Sequence, residues 1–139
     1  MATSSARTLP SGSMGRFQRS SGPAFDGPPA IDLAHLARQS LGDSQLEREL
    51  LHLFDIQSAR IASELGMPDP KTDVRAVRLE LAHTLKGSAS AVGAHRVSTA
   101  CDTLETLLRT DAPQPFVDTA LRDLRMAIHA ARDFIAATR

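Results

Sequence analysis

The chain of 139 residues has 8 glycines and 8 prolines, and half of each lie before residue 30. Most of the others cluster at four places: Gly42, Gly66 with Pro68 and Pro70, Gly93, and Pro113 with Pro115. Glycine interrupts a helix through backbone entropy and proline through its missing N–H, so these clusters mark where helices stop. Between them the apolar residues recur at intervals of three and four, the period of a helix with one buried face. Five helical segments are expected, over about 32–40, 44–65, 73–92, 95–109 and 115–137.

In the first segment Asp32 is placed to cap, with Leu33 and Leu36 at helical spacing. The second opens on Ser44 and Glu47 in capping-box spacing and carries Leu46, Leu50, Leu53, Phe54, Ile61 and Leu65 as its stripe. The third presents Val74, Val77, Leu81, Leu85, Ser88 and Val92. The fourth presents Val97, Cys101, Leu104 and Leu108, and the fifth Phe116, Ala120, Leu124, Ile128, Ala131 and Ile135. Four long amphipathic helices joined by short connections bury their stripes together only by packing antiparallel. The expected fold is all-α: an up-down-up-down four-helix bundle over 30–139, with a short extra N-terminal helix as a lid. Residues 1–29 are rich in Ser, Gly and Pro and poor in large apolar side chains, so they read as a disordered tail. Part of that tail, around Ser11 to Met14, has the composition of an expression remnant.

Charge narrows the function. Sixteen basic residues balance sixteen acidic ones, which argues against neutralising the many phosphates of a nucleic acid or an anionic membrane surface. No stretch reaches the ~18 consecutive apolar residues of a spanning helix, and no secretory signal opens the chain. A cytoplasmic location is expected. The single cysteine, Cys101, cannot form an internal disulfide and sits at a core position. His35, His52, His95 and His129 have no partners at ligand spacing, so no metal site is expected.

Gly87 alone falls where the pattern wants no break, at a cost of ~1 kcal/mol relative to alanine. Leu81, Leu85 and Ser88 on the buried stripe turn His83 outward together with Lys86 and Gly87, its neighbours at three and four. Those three residue types suit a phosphoryl group carried on the imidazole. A ring with an unperturbed pKa near ~6.5 is largely neutral and nucleophilic at cellular pH. The ammonium offsets accumulating negative charge, and a position without a side chain lets a partner's reacting group approach in line. Arginine supplies every other positive charge except Lys71, so lysine at 86 looks chosen.

His83 precedes the turn at Gly93 by ten residues and Glu105 follows it by twelve, which sets them at similar heights on adjacent antiparallel helices. Glu105 flanks its stripe, one residue past Leu104. It could accept a hydrogen bond from Nδ1–H of His83 and leave Nε2 as the attacking nitrogen, or be a solvated flank residue. Gly87 could equally relieve crowding between helices.

The run Ala82-His83-Thr84-Leu85-Lys86-Gly87-Ser88-Ala89-Ser90-Ala91-Val92-Gly93-Ala94, followed by Cys101, Leu104 and Glu105, resembles the histidine-containing phosphotransfer (HPt) family. The likeness is tight over the third and fourth helices and looser from Ile31 to the C-terminus. It implies a carrier without kinase activity of its own, taking a phosphoryl group from an aspartate on the receiver domain of a hybrid histidine kinase or response regulator and passing it to another receiver aspartate. His83 would be the phosphoryl acceptor, Lys86 its charge partner and Glu105, where the family has glutamine or glutamate, the residue that orients it. The magnesium needed for transfer would belong to the receiver. The docking face is expected around Leu79, Glu80, Gly87 and Ser90, with Leu79 as an exposed apolar anchor, on a monomer. Two other readings compete. A dimerising histidine-kinase core normally has an acidic residue directly after its histidine, where this chain has Thr84. An adaptor bundle that binds signalling partners without phosphoryl chemistry would use the same fold and have no need of His83 or Lys86.

Overall fold

A computed structural model of the protein describes residues 29–138. The tail expected over 1–29 lies, except for Pro29, outside the described residues. Five helices follow in order: α1 Leu33–Gln39, α2 Ser44–Gly66, α3 Val74–Val92, α4 His95–Arg109 and α5 Gln114–Ala137. No strand occurs among the described residues. Contacts run from α2 to α3, α3 to α4, α4 to α5 and α5 back to α2, which closes a four-helix bundle, while α1 lies against α2 and α3.

The helices start where local chemistry supplies acceptors for their unpaired N–H groups. Asp32 accepts from the His35 N–H and Asp73 from the Ala76 N–H. For α2 the expected cap is displaced by one residue. Asp43, not Ser44, accepts from the Gln45 and Leu46 N–H groups, and Glu47 instead takes the Ser40 hydroxyl at 3.0 Å. A carboxylate preceding the serine wins the capping position, and the serine becomes the first helical residue.

The α3–α4 turn uses only Gly93 and Ala94. Gly93 has φ of 80°, the left-handed region where a side chain is strained, and a Cβ there would lie 2.8 Å from the Asp32 carbonyl oxygen. The Asp32 N–H in turn donates to the Gly93 carbonyl at 2.8 Å. The start of α1 is thereby tied to the tightest turn of the bundle.

The core confirms the stripes of α4, with Val97, Cys101, Leu104 and Leu108 all buried. Elsewhere the faces are rotated. On α2 the buried line is Leu51, Phe54, Ser58, Ile61 and Leu65, whereas Leu46 and Leu53 are exposed and Leu50 is half-buried. On α3 the buried residues are Ala82, Leu85, Ala89 and Val92, and Leu81 and Ser88 are only half-buried. On α5 Phe116 points out, and Val117, Leu121 and Ala127 join the core. Each of these helices carries apolar residues on more than one face, and contact with its two neighbours selects among them. Alanines 82 and 89 are inside because a small side chain lets α3 approach its neighbours closely.

Candidate functional site

Helix α3 runs through Gly87 without interruption, as the excess cost of that glycine in a helix would not suggest. Its surface is what the residue changes. Apart from its chain neighbours and the backbone of its own helical turn, no atom lies within 4 Å of where a Cβ at 87 would sit, so the glycine relieves no crowding between helices. The bare backbone faces outward beside His83, whose side chain is 71% exposed.

The register across the Gly93 turn brings Glu105 of α4 to His83 of α3. His83 Nδ1 lies 3.5 Å from Glu105 Oε1, longer than the ~2.7–3.2 Å of a well-formed N–H···O bond. Glu105 is not a solvated flank residue. It is only 1% exposed, enclosed because α4 packs against both α3 and α5. A buried carboxylate is tolerated when cations surround it. Lys86 Nζ lies 3.1 Å from Glu105 Oε2, and an Arg109 guanidinium nitrogen lies 3.1 Å from Oε1. Neither oxygen receives a well-aligned hydrogen bond, so the carboxylate keeps acceptor capacity on the side facing His83.

Lys86 is shared. Its ammonium also contacts Asp102 Oδ1 at 3.2 Å. The Glu105 carboxylate, and after it Asp102, holds the lysine pKa above its ordinary value, so the group is a cation throughout the neutral range. Beneath the cluster Cys101 is fully buried, and desolvation, reinforced by the Glu105 charge, pushes its thiol pKa up to about 12. A thiol so protonated has no nucleophilic role here.

Of the expected docking residues, Glu80 and Ser90 are exposed along with Gly87. Leu79 is not the projecting anchor expected from its register: it is half-buried and packs against the core. Ser90 also belongs to a second arrangement, since its carbonyl accepts from His35 Nε2 at 2.8 Å and its hydroxyl lies 3.1 Å from that of Ser98. His35 and His95, read from the sequence as side chains without a partner at metal-ligand spacing, meet edge to face at 5.5 Å, with His95 Nε2 3.1 Å from Asp32 Oδ2. Among the described residues no cluster of three side chains could hold a metal ion.

Sequence reasoning assigned no role to Asp102, Arg109 or Ile56 and placed Leu53 on the buried stripe of α2. Arg109 follows Glu105 by four residues, a helical pairing visible in the sequence. Asp102 stands level with Lys86 by the same hairpin register that pairs His83 with Glu105. Leu53 and Ile56 carry no such signal. They are 62% and 55% exposed on α2 and line an open apolar groove against Ser88 and Ala91 of α3. Those two α3 residues follow Gly87 by one and four positions, so groove and imidazole share one surface.

The family model for the Hpt domain matches residues 44–134. A crystal structure from rice, of a protein assigned provisionally to histidine-containing phosphotransfer, superposes with a TM-score of 0.65 at 20% identity, covering 78% of each chain. At that identity the likeness speaks for the fold. No curated protein matches the chain.

Proposed function

The chain belongs to the Hpt domain family, and on that footing we propose that it is a phosphorelay carrier which takes a phosphoryl group onto His83 from one receiver-domain aspartate and delivers it to another. The observation that carries this reading is the juxtaposition at the α3–α4 contact. An exposed imidazole has a buried carboxylate at its Nδ1 side, an ammonium one turn along and bare backbone beside it.

In the forward step the Nε2 lone pair of neutral His83 attacks phosphorus. The bond between phosphorus and the aspartyl oxygen breaks, and the receiver recovers its carboxylate. The ring, still protonated on Nδ1, becomes a phosphorylated imidazolium whose positive charge faces Glu105. Glu105 therefore favours the tautomer that attacks and the charge that forms. Lys86 offsets the charge of the arriving phosphoryl oxygens. Delivery reverses these movements against a second aspartate. Magnesium, in this reading, is held by the receiver, and the chain supplies the histidine and its setting with no kinase activity of its own.

Docking would use Glu80, Gly87 and Ser90 around the histidine, with Leu79 contributing through its half-exposed edge. The apolar contact expected of Leu79 falls mainly to Leu53 and Ile56 on α2. Such a face buries one apolar patch beside the reacting group and leaves a polar rim, the pattern of a transient protein interface. A bundle that closes its own core needs no second copy, so the carrier would act as a monomer in the cytoplasm. No helix among the described residues is long and apolar enough to cross a membrane.

The test is transfer from a panel of radiolabelled, phosphorylated receivers to the wild-type chain and to His83→Gln. Acid-labile, base-stable label on the wild type alone is the expected result. Binding of receivers with no transfer to a folded protein would replace the carrier with an adaptor bundle.

A further inference from the structure

Lys86 is claimed by two carboxylates that differ in standing. Glu105 is buried and has Arg109 and His83 beside it as well. Asp102 is 68% exposed, contributes nothing to the core, and makes its ion pair with Lys86 at 3.2 Å. With His83 neutral, Lys86 and Arg109 balance Asp102 and Glu105, so the cluster carries no net charge before a phosphoryl group arrives. That group adds about two negative charges. Lys86 is the cation nearest the imidazole on its own helix face, and its ammonium cannot turn fully to the phosphoryl oxygens while it still serves both carboxylates. Abandoning Glu105 would strand a buried charge, which is costly, whereas abandoning Asp102 gives up an exposed pair, which is not.

We propose that Asp102 is a positioning residue that holds Lys86 partly back from the phosphoryl group and so raises the transfer potential of phosphorylated His83. The inference rests on the phosphocarrier reading above. A carrier must give up what it accepts, and a lysine bound wholly to the phosphoryl group would lower the energy of the loaded state and slow delivery. Asp102 returns part of that stabilisation by competing for the same ammonium and by placing a like charge near the phosphoryl oxygens. Were it instead a guide that aims Lys86 at phosphorus, its removal would have the opposite effect, so the sign of the change decides.

The experiment compares the full wild-type chain with Asp102→Asn, Asp102→Glu and His83→Gln, loaded with potassium phosphoramidate in the absence of any receiver. The Nε2–P bond forms as the bond from phosphorus to ammonia breaks; the ammonia takes a proton from the buffer and leaves as ammonium, while the ring keeps its proton on Nδ1. Phosphorus NMR reads the loaded fraction at a series of ammonium concentrations, approached from both directions. Asp102→Asn is expected to shift the equilibrium toward phosphohistidine by about two- to fivefold at low salt, the range of an exposed ion pair. Asp102→Glu should restore the wild-type value, and the difference should shrink as salt is raised. An unchanged or lowered loaded fraction in Asp102→Asn overturns the inference while leaving the carrier reading intact. Wild-type protein that is folded but takes no phosphoryl group on His83 overturns both.

Discussion

His83 Nδ1 faces Glu105 Oε1 at 3.5 Å across the α3–α4 contact, one side chain 71% exposed and the other 1%. The pair joins an imidazole open to solvent to a carboxylate that water cannot reach. A solvated carboxylate would reorient and be screened, whereas one fixed among Lys86, Arg109 and the core keeps its direction toward the ring.

Replacing Glu105 separates its charge from its shape. Glu105→Ala leaves Lys86 and Arg109 without their shared partner and opens a void, and should lower unfolding free energy by about 1–3 kcal/mol in denaturant titrations. Receiver-to-carrier transfer should slow by about tenfold or more as the ring loses its orienting acceptor. Glu105→Gln keeps an acceptor oxygen for Nδ1–H and should retain most of the rate. Equal rates for alanine and wild type in rapid-quench assays would remove Glu105 from the reaction.

Gly87→Ala should make the protein more stable and a poorer recipient. Alanine favours a helix interior over glycine by about 0.5–1 kcal/mol, and nothing within 4 Å opposes the new methyl. Loading from phosphoramidate, a small donor, should be unchanged, while transfer from a receiver falls by about tenfold because the methyl stands in the partner's approach. A drop in both would place the effect inside the chain.

Gly93→Ala should do the reverse to stability. Alanine there would be strained both by the left-handed φ of 80° and by a Cβ 2.8 Å from the Asp32 carbonyl oxygen. The conformational part alone costs about 1–2 kcal/mol. Equilibrium denaturation should register at least that much, with faster hydrogen exchange at α1, whose Asp32 N–H bonds to the Gly93 carbonyl.

Asp32 should make the fold acid-sensitive. The His35 backbone N–H, then the His95 side chain, holds its carboxyl pKa below the ordinary value. A carboxyl depressed in the folded state contributes stability above its unfolded pKa, about 3.9, and loses it as pH falls through the folded value. The difference in denaturation midpoint between wild type and Asp32→Ala should therefore be largest near neutrality and shrink below about pH 4. A difference that stays constant with pH would trace it to packing alone.

Cys101 should resist alkylation in the native protein. With its pKa pushed up to about 12 by burial and the Glu105 charge, it offers almost no thiolate at pH 8. Iodoacetamide should modify it at the rate of global unfolding, and rapid labelling in native buffer would contradict the buried position.

What the amino-acid order determined is what depends on neighbours along the chain. Glycine and proline set the helix limits to within a few residues, and the stripe of α4 was legible because its apolar residues lie on one face only. The register of His83 and Glu105 followed from the distance of each to the Gly93 turn, since two rigid helices sharing a tight turn leave little freedom in height. What only the tertiary structure decided is what depends on the angle about each helix axis. Leu46 and Leu53 against Leu51, Phe116 against Val117, and Ser88 against Ala89 were equally periodic, and packing between helices chose the second of each pair. The packing of α4 between α3 and α5 buried Glu105, and the faces chosen on α3 and α2 half-buried Leu79 and exposed Leu53 and Ile56. Burial is a property of two neighbouring helices at once, and a periodicity read along one helix carries no term for the other.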